Sequence, residues 1–154
     1  MGTESLAEFF IMDLPEPLKE TEEAIKLLNS KLPPGLKVSA VKKHPGKIAQ
    51  KLLTSYTLTL DRSLTEKDIE LIDIFVASSS FVVERIRKGK SKPLDIRPLI
   101  RRISPSGSGT VELETINITS SPGIKPIEAL RHIIKLDKDT ALLTSIVKTG
   151  WSAL

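Results

Sequence analysis

Two short windows of the chain alternate cleanly between apolar and polar residues. Residues 36–43 set Leu36, Val38 and Ala40 against Lys37, Ser39 and Lys43. Residues 54–60 set Tyr56, Leu58 and Leu60 against Ser55, Thr57 and Thr59. A period of two predicts half-buried strands. Residues 8–14 (Glu-Phe-Phe-Ile-Met-Asp-Leu) are rich in aromatic and branched residues and predict a buried strand closed by Pro15 and Pro17. Other windows carry the helical period. Leu18, Ile25, Leu28 and Leu32 share one face of a helix over 18–32, stopped by Pro33-Pro34-Gly35. Ile69, Ile72, Phe75 and Val76 share a face over 64–77, behind a capping box of Ser63 and Glu66. Ile127, Leu130, Ile133 and Ile134 mark a third helix over 126–136.

The remaining windows complete the plan. Residues 47–53 suit a short helical connection, 80–87 a strand, and 94–103 either a helical turn or a strand interrupted by Pro98. Ser104-Pro-Ser-Gly-Ser-Gly109 has the composition of a flexible loop and is the best hinge candidate. Residues 110–119 form a strand whose apolar phase shifts from Val111/Leu113 to Ile116/Ile118, which predicts a bulge. A last strand is expected at 141–148, with Trp151 beyond it as a core anchor. The order β-α-β, β-α-β, then β-rich and α predicts an α+β fold with ferredoxin-like split β-α-β units: a mainly antiparallel sheet with helices on one face. The chain, 154 residues long, reads as a single domain over 1–154.

Composition adds exclusions. There is no cysteine, so the chain cannot form disulfides or supply a thiolate nucleophile or cluster ligand. With no signal peptide at its start and no apolar run of membrane length, it is expected in the cytoplasm. At 4% aromatic residues it offers no broad stacking platform. His44 and His132 are too far apart in sequence, and too isolated from other ligands, to suggest a metal site; no cofactor is expected. Ser-Gly-Ser-Gly lacks the following lysine of a phosphate-binding loop. No motif identifies an enzyme.

Charge is concentrated in one place. From Arg85 to Arg102 the chain carries +7, against +4 for the whole, which leaves −3 elsewhere. Arg85, Arg87, Lys88, Lys90, Lys92 and Arg97 are the candidate contacts for phosphates, RNA above all, or for an acidic partner. A solvated hairpin whose lysines guard an edge strand is the other reading. Asp95, the one acid in this window, suits a turn cap or an arginine partner better than catalysis.

Gly2-Thr-Glu-Ser-Leu-Ala-Glu-Phe-Phe10, Val83-Glu-Arg-Ile-Arg-Lys-Gly-Lys-Ser-Lys-Pro-Leu-Asp-Ile-Arg-Pro98 and Ile146-Val-Lys-Thr-Gly150 resemble the radical-SAM-linked protein family. This is a bacterial family of unknown function found beside, or fused to, B12-binding radical SAM proteins. The resemblance implies such a protein as partner. It also implies an upstream region, so that the chain corresponds to a shortened form of a larger family domain. Lacking cysteine, the chain would be an accessory to the enzyme, presenting RNA to it or docking to it without any nucleic-acid role.

Overall fold

The computed structural model describes residues 3–43, 50–87, 89–118 and 121–154, with Arg87 through its backbone only. It divides into two compact units, one of Met1–Glu8 with Ala49–Leu154 and one of Phe9–Ile48.

The larger unit holds an α+β fold. Its main sheet has the order β1-β7-β2-β6-β5, where β1 is Glu4–Ser5, β2 Lys51–Thr59, β5 Ile100–Pro105, β6 Thr110–Ile118 and β7 Ser145–Ala153. β7, β2, β6 and β5 are antiparallel neighbours, and β1 adds to β7 in parallel. Between β2 and β5 lie helix α2 (Glu66–Ala77) and a separate hairpin of β3 (Val82–Arg87) and β4 (Lys90–Asp95). Between β6 and β7 lie α3 (Pro126–Ile133) and α4 (Lys138–Leu143). Without the hairpin and β1, this is β-α-β-β-α-β with two interleaved β-α-β units, the split ferredoxin-like arrangement.

The expected topology is present, but built from other strands. Residues 8–14 and 36–43 form no strand. In the smaller unit, which carries α1 (Thr21–Lys31), the Asn29 amide takes the place of a neighbouring strand. Its Nδ2 donates to the Val38 carbonyl at 3.1 Å, and Val38 N–H donates to its Oδ1 at 2.7 Å. Those two bonds satisfy Val38, and the alternation around it is not used in a sheet. Phe10, Met12 and Leu36 are exposed, whereas the prediction buried them.

One sheet face forms the core. Leu58 on β2, and Val111 and Leu113 on β6, pack with Ile72 and Phe75 of α2 and with Ala129, Leu130 and Ile133 of α3. β6 carries no bulge against β2: the register runs unbroken from Thr59/Thr110 to Lys51/Ile118. Thr115 is fully buried and continues the Val111–Leu113 face, so the apparent phase shift comes from a polar residue in a core position. The irregularities fall in the β2–β7 and β5–β6 pairings instead.

Several boundaries also move. α2 is capped by Thr65 and Asp68, not by Ser63 and Glu66. Ile69 and Val76 lie on its exposed side. Residues 94–103 divide into the end of β4, a 3₁₀ turn at Arg97–Leu99 and the start of β5. The 104–109 loop is pinned rather than a hinge, since Leu60 N–H donates to Gly109 and Leu64 N–H to Ser108. A Cβ on Gly109 would lie 2.6 Å from the Arg62 carbonyl oxygen, so this close approach requires glycine. The third helix ends at Ile133, and Lys135 beyond it takes a φ of 54°. Asp137 then caps α4 where the start of a strand was expected. Trp151 is partly exposed and is not a core anchor.

Candidate functional site

The structure divides the basic segment into separate roles. Arg97 is a structural brace. Its Nε donates to the Ser78 carbonyl at 3.0 Å, Nη1 to Ile100 at 3.0 Å and Nη2 to Val76 at 3.2 Å. Its guanidinium lies 5.3 Å from the centre of the Phe75 ring. It therefore satisfies carbonyls left open at the end of α2. Asp95 caps the adjoining turn. Its carboxylate accepts from Phe81 N–H, the Ser80 hydroxyl and Arg97 N–H, and these bonds hold it below the usual carboxylate range.

Arg85 ties the hairpin to α3. Its Nε donates to Glu128 Oε1 at 2.7 Å, and its Nη2 to Glu128 Oε2 at 2.5 Å and to the Gly123 carbonyl at 2.9 Å. Side-chain exposure is 16% for Arg85 and 22% for Glu128. Burial pushes the Glu128 carboxyl up, but the bonds and charge of Arg85 outweigh it and leave the group below its ordinary value. Replacing Glu128 with glutamine should cost about 1–3 kcal/mol, because Arg85 would keep a partly buried charge without its partner. Urea denaturation checks the magnitude. Faster amide exchange in β3 than in β2 would show that the hairpin loosens first.

Lys90 and Lys92 are exposed. The register sets Arg85 opposite Lys92 and Arg87 opposite Lys90, with Gly89 at φ +73° in the turn. Two like-charged pairs thus stand across one hairpin. The Arg87 side chain and all of Lys88 lie outside the described residues. The opposite hairpin face carries exposed Val82 (61%) and Ile86 (75%).

Beside Arg85 opens a cleft of about 830 Å³ that the sequence did not reveal. Its lining draws on the N-terminal segment, the sheet, α3 and α4. Five cations (Arg85, Lys125, Arg131, Lys138, Lys148) and one carboxylate, Glu8, reach it. Lys148 Nζ donates to Glu8 Oε2 at 2.9 Å, and bonds from Lys148 and Ser5 lower the Glu8 carboxyl. Tyr56 and Asn117 add polar groups. The Asn117 amide donates to Thr54 Oγ1 at 3.0 Å and Thr115 Oγ1 at 3.3 Å. Burial pushes the Tyr56 hydroxyl up despite its bonds with Thr115 and Thr54. Ile124, Ala141 and Ile146 supply apolar wall. No group of three or more histidine or acidic side chains suited to a metal occurs among the described residues.

A family model described as an uncharacterized protein conserved in bacteria (DUF2344) matches residues 1–126. The chain belongs to that family. Nothing among curated proteins or solved structures matches it. The DUF2344 match covers β1 through β6 and reaches the first residue of α3, so it includes the hairpin and stops before Arg131, Lys138 and Lys148 of the cleft. The bacterial, uncharacterized character expected from the resemblance agrees with this match. The description names no reaction, ligand or radical SAM partner. Among the described residues, no helix of this DUF2344 chain is long and apolar enough to cross a membrane.

Proposed function

We propose that this DUF2344 chain is a cytoplasmic accessory module that holds RNA through the basic face of its β3–β4 hairpin. The observation that carries the reading is the cross-strand register. Like charges directly opposite each other destabilise a hairpin, and of the described hairpin cations Arg85, Lys90 and Lys92 only Arg85 has a carboxylate partner. Phosphates would neutralise Lys90, Lys92 and the Arg87 and Lys88 positions, whereas Arg85 and Arg97 shape the support. Presentation of that RNA to a radical SAM enzyme rests on the family resemblance of the quoted segments. The single domain over 1–154 is part of the same proposal.

The test is fluorescence anisotropy on short single-stranded RNA across a salt series. Replacing both Lys90 and Lys92 with alanine should weaken binding for every sequence and reduce the salt slope by about 1.4, from two lost single-strand phosphate contacts. No binding by the unaltered chain at ~50 mM salt would sink the proposal, since electrostatic contacts are strongest there.

Exposed Val82 and Ile86 favour a second reading, in which the hairpin face that carries them docks to the radical SAM protein itself. Co-purification that survives nuclease but is lost on Ile86→Asp would select it. Charge reversal at Arg85 is a poor probe, because it would also break the Glu128 pair.

A further inference from the structure

The hairpin reading leaves the cleft unused. Lys148 has only 14% of its side chain exposed, whereas its partner Glu8 is 67% exposed. A lysine whose side chain is largely covered loses part of its hydration and gains from a counter-charge. Here that charge comes from a solvated carboxylate on the N-terminal segment, in an ion pair of the weak, exchangeable kind. Lys125, Arg131 and Lys138 line the same cleft and form no ion pair among the described residues. One carboxylate thus faces several cations. The volume lies within the range of small-molecule sites, and apolar wall adjoins the charged groups.

We propose that this cleft binds a small molecule bearing a phosphate or diphosphate group, and that Glu8 occupies on Lys148 the place such a group takes. Charge balance selects the ligand class. A single carboxylate would do no more than replace Glu8. A diphosphate carries enough charge to meet Lys148 together with Arg131 or Lys138, and its oxygens accept several charge-assisted hydrogen bonds. Tyr56 and Asn117 lie in the lining to orient the ligand, and Ile124, Ala141 and Ile146 offer contact to an apolar body. On binding, the ligand displaces the Glu8 carboxylate into solvent, where it already largely resides. The site is independent of RNA contact at Lys90 and Lys92.

Calorimetric titration of the whole chain with inorganic pyrophosphate, at ionic strength held constant with chloride, tests the proposal. Saturable binding is expected. Lys148→Met should weaken it about tenfold, from loss of one charge-assisted bond. Glu8→Gln should tighten it roughly threefold, because a weak surface competitor is removed. Lys90→Ala with Lys92→Ala should leave it unchanged. Glu8 is a surface residue, so its variant remains informative if Lys148→Met fails to fold. Absence of saturation at ~10 mM pyrophosphate, a concentration above any useful affinity, overturns the proposal. Unchanged or weaker binding by Glu8→Gln overturns it too. Loss of pyrophosphate binding in the Lys90/Lys92 variant would place the anion on the hairpin and equally refute the cleft.

Discussion

Replacing Phe75 with alanine is expected to cost about 3–5 kcal/mol and to lower the melting temperature by on the order of 10 °C. Phe75 is 1% exposed and belongs to the cluster between α2 and the sheet. Loss of its ring removes buried apolar area and leaves a cavity that a close-packed core fills poorly. Two further contacts are lost with it. The Phe81 ring meets Phe75 edge-on, with centroids 5.1 Å apart and planes at 69°, and the Arg97 guanidinium lies over its face. Both neighbours belong to the base of the hairpin, where Ile96 N–H donates to the Phe81 carbonyl at 2.9 Å. Damage should therefore extend from the core to the hairpin, and Ile96 N–H should lose exchange protection. Chemical denaturation with amide exchange on the same sample measures both. A cost below about 1 kcal/mol would contradict this packing, since such a value belongs to surface positions.

Local periodicity revealed the elements whose partners follow the same pattern. The later part of β2 was legible from Tyr56 and Leu58, and β6 from Val111 and Leu113, because each presents one face to a common core; β2 begins at Lys51, inside the 47–53 window that suits a helical connection, of which 47–49 lie outside the described residues. The α+β class followed from the alternation of strand and helix patterns, whereas the split topology was reached through strands at 8–14 and 36–43 that do not form; β5 and β7 take their places in the sheet. The same signal misled at 36–43. Alternation makes a segment fit for a sheet but does not supply a neighbouring strand, and Asn29 took that role. Thr115 hid the continuity of β6, since a threonine in the core interrupts an apolar pattern without interrupting the strand. The basic segment was conspicuous as charge, yet its division into roles was not. The partner of Arg85 lies 43 residues away, and Arg97 meets the end of α2. Long-range pairs of this kind leave no mark in local spacing. The cleft was illegible for the same reason, being assembled from the N-terminal segment, from β2, β3, β6 and β7, and from α3 and α4.

Asp68 should be an acid-sensitive support of the fold. It is an acid on the core side of α2, with 7% of its side chain exposed. Arg62 Nη1 donates to Oδ2 at 2.6 Å and Nη2 to Oδ1 at 3.2 Å. Thr65 N–H and hydroxyl each donate to Oδ2 at 2.8 Å, and Asp68 N–H returns a bond to Thr65 Oγ1 at 3.2 Å. One carboxylate thus closes the capping box and balances an arginine. Burial pushes the carboxyl up, but the bonds from Arg62 and Thr65 prevail and its pKa lies below the ordinary value. A depressed folded-state pKa means that the charged form stabilises the fold. That contribution is whole above the unfolded-state value of ~3.9 and is lost as pH falls through the lower folded-state value. Asp68→Ala should cost about 2–4 kcal/mol at pH 7, from the cap and the uncompensated Arg62 combined. Asp68→Asn keeps the shape and removes the charge, so its deficit against the unaltered chain should shrink as pH falls through that window. Glu128 shifts in the same direction but is present in both proteins, so the difference isolates Asp68. Urea denaturation of both across that range decides it. Parallel stability curves would mean that the Asp68 charge does not support the helix.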